Sequence, residues 1–273
     1  MSIKLGTCTW NYDSWLGLVY SYKANSAAEY LKQYSQKYRT VEIDSWFYKI
    51  PDKAEVLSYK NSVDSDFSFT CKVTNAITLT NLRNKNKDRN PDLLSSELFK
   101  RYLDSIEALL PQIDGIMFEF EYLNKTKMSG AQEFLERLND FFEKVPSGLP
   151  LAIETRNKNY LTNDYFKMLN DNKVMHVFSE KLYMPSVYNV YAKFQDYIND
   201  GAIIRLLGGD RKEIEKQTKK QWDNIVQPKD DLKQVVGMIN YMSGKGLKIT
   251  ANVNNHYEGS APKTIMKMIE MLR

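Results

Sequence analysis

The chain has 273 residues, room for one large α/β domain or two small ones, and a core of this size needs no covalent staple. Hydrophobic residues are 42% and charged residues 26%, the ordinary balance of a globular domain. Lys and Arg number 38 against 34 Asp and Glu, a net +4, too small an excess to point to nucleic acid by itself.

Ile3 to Thr9 reads as a first strand with Gly6 inside it. An aromatic loop follows (Trp10, Tyr12, Trp15, Tyr20, Tyr22). Ser26 caps a helix over Ala27 to Lys37, with Tyr30, Leu31 and Tyr34 at helical spacing. Thr40 to Ser45 is the second strand, and Pro51-Asp52 opens a helix through about Asn61. Asp66 to Val73 alternates as a third strand. Asn81 to Asn90 is polar and asparagine-rich, an exposed loop. Ser95 to Leu110 carries a helical apolar stripe. Gly115 to Glu121 is strand four, Gly130 to Val145 an amphipathic helix, and Pro150 to Arg156 strand five. Thr162 caps a helix over Asp164 to Asn172, and Val174 to Phe178 is strand six. Ser179 to Asp200 reads as aromatic and irregular. Ala202 to Leu206 is strand seven, before Gly208-Gly209. A charged run, Arg211 to Gln221, and an amphipathic helix, Asp230 to Met242, come next. Gly246 to Val253 is strand eight, and Ala261 to Leu272 the last helix.

Eight short strands alternate with helices, and no composition break divides them. That pattern predicts a single α/β domain over residues 1–273, a TIM-type (β/α)8 barrel. A doubly wound sheet would want a glycine-rich phosphate turn after strand one, where Thr9-Trp10-Asn11-Tyr12 stands instead. Cys8 and Cys71 have neither metal-ligand spacing nor a disulfide framework, and read as reduced thiols of a cytoplasmic protein. The opening MSIKLGTCTW shows no secretory pattern. No apolar stretch approaches the roughly 20 residues that span a bilayer, so no membrane role is expected.

The C-terminal strand ends of such a barrel carry its chemistry. Because side chains alternate along a strand, Glu42 and Asp44 share one face of strand two, away from Val41 and Ile43. Lys72 is in phase with Thr70, Glu119 with Met117, Glu154 and Arg156 with Ala152, and Arg205 with Ile203. Asn254 and His256 follow Thr250 in the same phase. Charges therefore recur near one end of most strands, and Glu154, Arg156 and Arg205 are expected to face one pocket with Glu42 and Lys72. The plain alternative is that they only pair, Glu42 with Arg205 and Glu154 with Lys72. His256 alone is as readily a packed or surface histidine. Trp10 and the other loop aromatics more often pack a barrel rim than touch a ligand.

The segments GTCTWNYDSW, VEIDSWFY, FTCKV followed by AIT, LAIETR, IIRLLG and NVNNHYEGSAP occur in that order. Together they resemble the YecE-like family, labelled as the seventy-second domain of unknown function. The resemblance covers essentially the whole chain. It implies a TIM-type barrel with polar residues lining its mouth, and it implies no assigned biochemistry. Glu42, Lys72, Glu154, Arg156, Arg205, Asn254, Asn255 and His256 match its pattern. Leu79, Asn157 and Leu207 stand where it has histidines, Tyr160 stands for a tryptophan, and Glu119-Phe120-Glu121-Tyr122 for Gln-Leu-Pro-Pro.

Several chemistries fit. Lys72, Arg156 and Arg205 suit a small anionic, phosphorylated or sugar-like substrate, with Asp44, Asn254, Asn255 and Trp10 helping to bind it. Glu42, Glu119, Glu154 and His256 are then the candidates for acid/base or hydrolytic catalysis. A glycosidase would use Glu119 and Glu154 as its carboxylate pair. No cofactor is expected. Magnesium or manganese is the one metal option, on Glu42, Asp44, Glu119 and Glu154, whereas zinc would want more than His176 and His256 supply. Two other classes remain beside the enzyme. One is nucleic-acid binding, through Trp10, Trp15 and Trp46 and the basic loop Arg83, Lys85, Lys87 and Arg89. The other is a non-catalytic ligand-binding barrel.

Overall fold

A computed structural model describes residues 3–272. Among them eight strands close a barrel in sequence order: β1 Ile3–Thr7, β2 Thr40–Ile43, β3 Ser68–Lys72, β4 Ile113–Glu119, β5 Leu151–Glu154, β6 Met175–Lys181, β7 Gly201–Gly208 and β8 Lys248–Val253. Every neighbouring pair is parallel, and β1 pairs with β8 from Ile3–Ile249 to Thr7–Val253 to close the ring. This is the α/β (β/α)8 barrel that the alternating elements predict.

The helices are α1 Ala27–Tyr34, α2 Lys53–Lys60, α3 Asn75–Thr78, α4 Ser96–Ile106, α5 Ala131–Phe142, α6 Asn163–Asp171, α7 Val187–Phe194, α8 Arg211–Thr218, α9 Leu232–Gly244 and α10 Ala261–Leu272. Their starts are chemically marked. Ser26, Asp52, Ser95, Thr162 and Asp210 each accept a backbone N–H of the first turn, which satisfies donors that the helix cannot. No helix among the described residues is long and apolar enough to cross a membrane.

The structure corrects several boundaries. The stretch from Ser179 to Asp200 is not irregular: β6 continues to Lys181 and α7 follows. Val187, Val190, Tyr191 and Phe194 form its buried stripe, and the Glu180 carboxylate accepts the Val187 N–H at 3.0 Å. The helix expected to reach Leu110 ends at Ile106 and passes into a 3-10 turn holding Pro111, because proline lacks the donor that an α-helix would use there. β5 stops at Glu154, so Arg156 lies just beyond it.

Inside the barrel, side chains stack in layers. At the N-terminal end the Lys4 ammonium reaches Asp114 at 2.8 Å, and Ser68 and Thr250 also donate to Asp114. Across from Asn252, which donates to Thr70 at 2.8 Å, the middle is apolar on β4 to β7, with Met117, Ala152, Val177 and Ile203 in one cluster. Gly115 makes room for it, since a Cβ there would stand 2.1 Å from Ile203 Cδ1. The layer above, at the C-terminal end, is charged.

Candidate functional site at the barrel mouth

The inward phase that fills the middle with apolar side chains puts Glu42, Lys72, Glu119, Glu154 and Arg205 one layer higher, with Asp44 and Arg156 one step beyond. Arg205 is the centre of this layer. Its Nε and Nη2 donate to the two oxygens of Glu42, each at 2.7 Å. Its Nη1 donates to Glu119 at 2.9 Å and also to Glu154. Lys72 Nζ lies 2.5 Å from Asp44 and 2.8 Å from Glu119. Arg156 Nη2 lies 2.8 Å from both Glu119 and Glu154. Three cations thus interleave four carboxylates, and Glu42 and Glu154 are fully buried. Arg156 Nη1 is buried without a hydrogen-bond partner among the described residues.

These neighbours set the protonation. Burial would raise the Glu119 carboxyl, but Lys72, Arg205 and Arg156 together outweigh it and hold it well below the usual carboxylate range. Burial pushes Glu42 up, against the pull of Arg205 and Lys72. Burial would also lower Lys72 and Arg205, yet the surrounding carboxylates hold both above their ordinary values. Glu119 is therefore an ionised carboxylate, and its side chain keeps 17% exposure, where that of Glu42 keeps none.

That exposure matters because a cleft of about 1460 Å³ opens directly over Glu119 and Arg156. Its walls come from the segments after β2, β3, β4, β5 and β6. Arg83, Lys87, Lys127, Arg156, Lys158 and Lys181 line it, against Glu119 and Glu121. Lys127 pairs with Glu121, and Arg83 sits over the Tyr48 ring at 6.0 Å. Among the described residues, Lys87, Lys158 and Lys181 have no hydrogen bond or ion pair from their ammonium groups to a neighbour. Three tyrosines on the cleft walls are well exposed: Tyr48, Tyr122 and Tyr183.

The remaining candidates lie elsewhere. His256 engages Glu215 of α8 at 3.2 Å and Asn254 at 2.6 Å, and its ring packs on Trp222. Asn255 accepts the Ala261 N–H at 2.9 Å at the start of α10. Trp10 is buried, donates to the Ala27 carbonyl at 2.7 Å and packs edge-on to Tyr59. Trp15 and Trp46 are buried too, with their indoles donating to the Trp222 carbonyl and to Glu55. None of these three rings lines the cleft. His176 is enclosed by Tyr165, Phe166 and Phe178, and faces the helices. Among the described residues no three His, Cys, Asp or Glu side chains are grouped to hold a metal. Arg205 and Lys72 occupy the space between the carboxylates that a divalent ion would need.

Reading the sequence for the site missed Lys181, Lys158 and the tyrosines. For Lys181 a signal existed: Met175, Val177, Ser179 and Lys181 continue one inward phase past Phe178, the expected end of strand six. Lys158, Tyr122 and Tyr183 sit in segments with no period to assign them a face.

The model of a family described as protein of unknown function DUF72 matches residues 4–273, and the chain belongs to that family. Its fold is similar to two solved members. A DUF72 family protein from Enterococcus faecalis V583 has a TM-score of 0.72 and 18% identity, covering 99% of this chain and 95% of that one. Another, from Thermotoga maritima MSB8, has a TM-score of 0.70 and 19% identity, covering 99% and 98%. No curated protein matches the chain.

Proposed function

We propose that this member of the DUF72 family is a cytoplasmic enzyme that binds a small anionic ligand in the cleft and acts on it by acid/base chemistry, with Glu119 as the proton acceptor. One observation carries the reading. An ionised carboxylate, held so by Lys72, Arg205 and Arg156, forms the floor of a cleft whose Lys87, Lys158 and Lys181 are unpaired. A phosphate or carboxylate supplies the counter-charge that these lysines lack. A carboxylate base works only when ionised and within reach of the proton that it takes. Glu119 meets the first condition and is open to the cleft. Glu42 fails the second, because it is fully buried beneath Arg205 and does not line the cleft. The cytoplasmic assignment draws on the two free cysteines, Cys8 and Cys71.

The test is thermal denaturation of the full chain with sugar phosphates, nucleotides and dicarboxylates. At one hundred times Kd a native-state ligand stabilises by about 2.7 kcal/mol. Lys87→Glu and Lys158→Glu, both on exposed positions, should abolish that shift without lowering the unliganded Tm. Anions that shift neither the parent nor the variants refute the reading. A second reading, single-stranded nucleic acid, is supported by Tyr48, Tyr122 and Tyr183 beside the same lysines, an arrangement suited to stacked bases. It predicts a log K that falls with log salt by roughly 0.7 for each phosphate contacted, whereas a small monoanion gives a shallow slope.

A further inference from the structure

We propose that Lys181 is a catalytic nucleophile whose amine forms an iminium with an aldehyde or ketone that carries an anionic group. This rests on the anion-binding reading of the cleft and names the substrate class within it. Lys181 is the last residue of β6, in the inward phase of Val177, which belongs to the barrel's apolar interior. The register against β7 shifts between Glu180 and Lys181, so that Lys181 pairs with Gly208. The extra residue, Leu207, belongs to β7, and Lys181 stands where β6 enters the cleft.

The charge pattern separates Lys181 from the other strand-end cations. Lys72, Arg156 and Arg205 are each bound to two or more carboxylates. Lys181 forms no ion pair with a described residue. Desolvation, then the Arg156 charge, hold its ammonium below the usual lysine range, against the pull of Glu119 and Glu154, with a smaller push from Arg205. A lysine beside other cations keeps a larger share of nucleophilic free amine. Lys87 and Lys158 pair with no described residue in the same cleft, but Lys87 lies on a loop and Lys158 opens a 3-10 turn, outside the strands. They suit the anionic end of the ligand.

The chemistry balances with groups already present. The Lys181 ammonium releases a proton to solvent in the open cleft. The Nζ lone pair forms a C–N bond as the carbonyl π pair moves to oxygen, which takes up a proton from the same solvent. The carbinolamine expels that hydroxyl as water after taking up the second Nζ proton. One ammonium and one carbonyl thus become one iminium and one water, with charge conserved and nothing oxidised.

The experiment incubates the full chain with glyceraldehyde 3-phosphate, dihydroxyacetone phosphate or pyruvate, reduces with sodium borohydride, and maps the adduct by peptide mass spectrometry. The expected result is an adduct on Lys181 in preference to Lys87 and Lys158, suppressed by inorganic phosphate. Lys181→Arg should lose it while still binding the same three compounds in calorimetry, since the charge is kept and the nucleophile removed. An adduct spread evenly over the lysines, or none on Lys181 although calorimetry shows binding, overturns the covalent step alone. If calorimetry shows no binding and no adduct forms, the anion reading falls and the covalent step with it.

Discussion

Removing Arg205 gives the sharpest test of the charged layer. Arg205→Met keeps the length and bulk of the stem and deletes the guanidinium. Glu42 and Glu154, both fully buried, then lose the group that bridges them, and four carboxylates face only Lys72 and Arg156. Breaking a buried ion pair by removing one partner costs about 3–5 kcal/mol. For a chain of this length that is a fall in Tm on the order of 5–10 °C. The loss should depend on pH in a definite sense. In the parent, Arg205 pulls the Glu42 carboxyl down against burial. Without Arg205 its folded-state pKa rises further above the unfolded value of about 4.5. A raised carboxyl stabilises the fold below the unfolded pKa and loses that contribution as pH rises through the folded pKa. The deficit of Arg205→Met, read by urea denaturation, is therefore smallest near about pH 5 and largest near about pH 8. A variant within about 1 kcal/mol of the parent at both pH values would refute the account of the layer, because surface pairs behave that way.

Glu119→Gln should lower any turnover on an anionic substrate by about 10²–10⁴-fold. Its Tm should fall by less than that of Arg205→Met, because Asp44, Glu154 and Glu42 still pair Lys72, Arg156 and Arg205; melting curves beside initial rates check both. His176 is buried neutral with its pKa pushed down to about 3 from an ordinary 6.5. The unfolded chain takes up the proton first, so stability is whole above 6.5 and is lost as pH falls towards about 3, by about 5 kcal/mol in all. His176→Leu should flatten that acid limb in denaturation at graded pH. Gly208 has φ +83°, and a Cβ there would stand 2.1 Å from the His256 carbonyl oxygen. Gly208→Ala should cost at least about 1–3 kcal/mol in denaturant unfolding, as the β8–α10 loop is forced away.

The fold is legible in the sequence because a parallel barrel repeats one rule eight times: a short strand with a definite inward phase, then an amphipathic helix. The same rule selects the inward charges. Glu42, Lys72, Glu119, Glu154 and Arg205 each stand two residues from an inward position that the structure fills, so their meeting at one end follows from parity alone. Asn254, Asn255 and His256 lie past the end of β8, where that rule stops. A loop turns there, and it directs His256 to Glu215 and Asn255 to the start of α10. Trp10 follows β1 into a loop in the same way, and its indole N–H is satisfied by Ala27 rather than left for a ligand. Which cations remain unpaired is a property of the assembled cleft, and no spacing in the sequence encodes it.

The barrel does not need its charged layer for stability. One layer below, Met117, Ala152, Val177 and Ile203 fill the β4–β7 side of the barrel with apolar side chains, and well-packed apolar replacements of buried ion networks are often neutral or stabilising by about 1–4 kcal/mol. At the opposite end the ion pair of Lys4 and Asp114 is about 30% exposed on each side and keeps much of its hydration. The mouth differs in holding Glu42, Glu154 and Arg205 almost without solvent, directly beneath a cleft whose Lys87, Lys158 and Lys181 pair with no described residue. The desolvation cost is therefore concentrated where a ligand would meet it. A network that served folding alone would have no reason to hold Glu119 ionised at the surface of that cleft, nor to leave Lys181 uncompensated beside it.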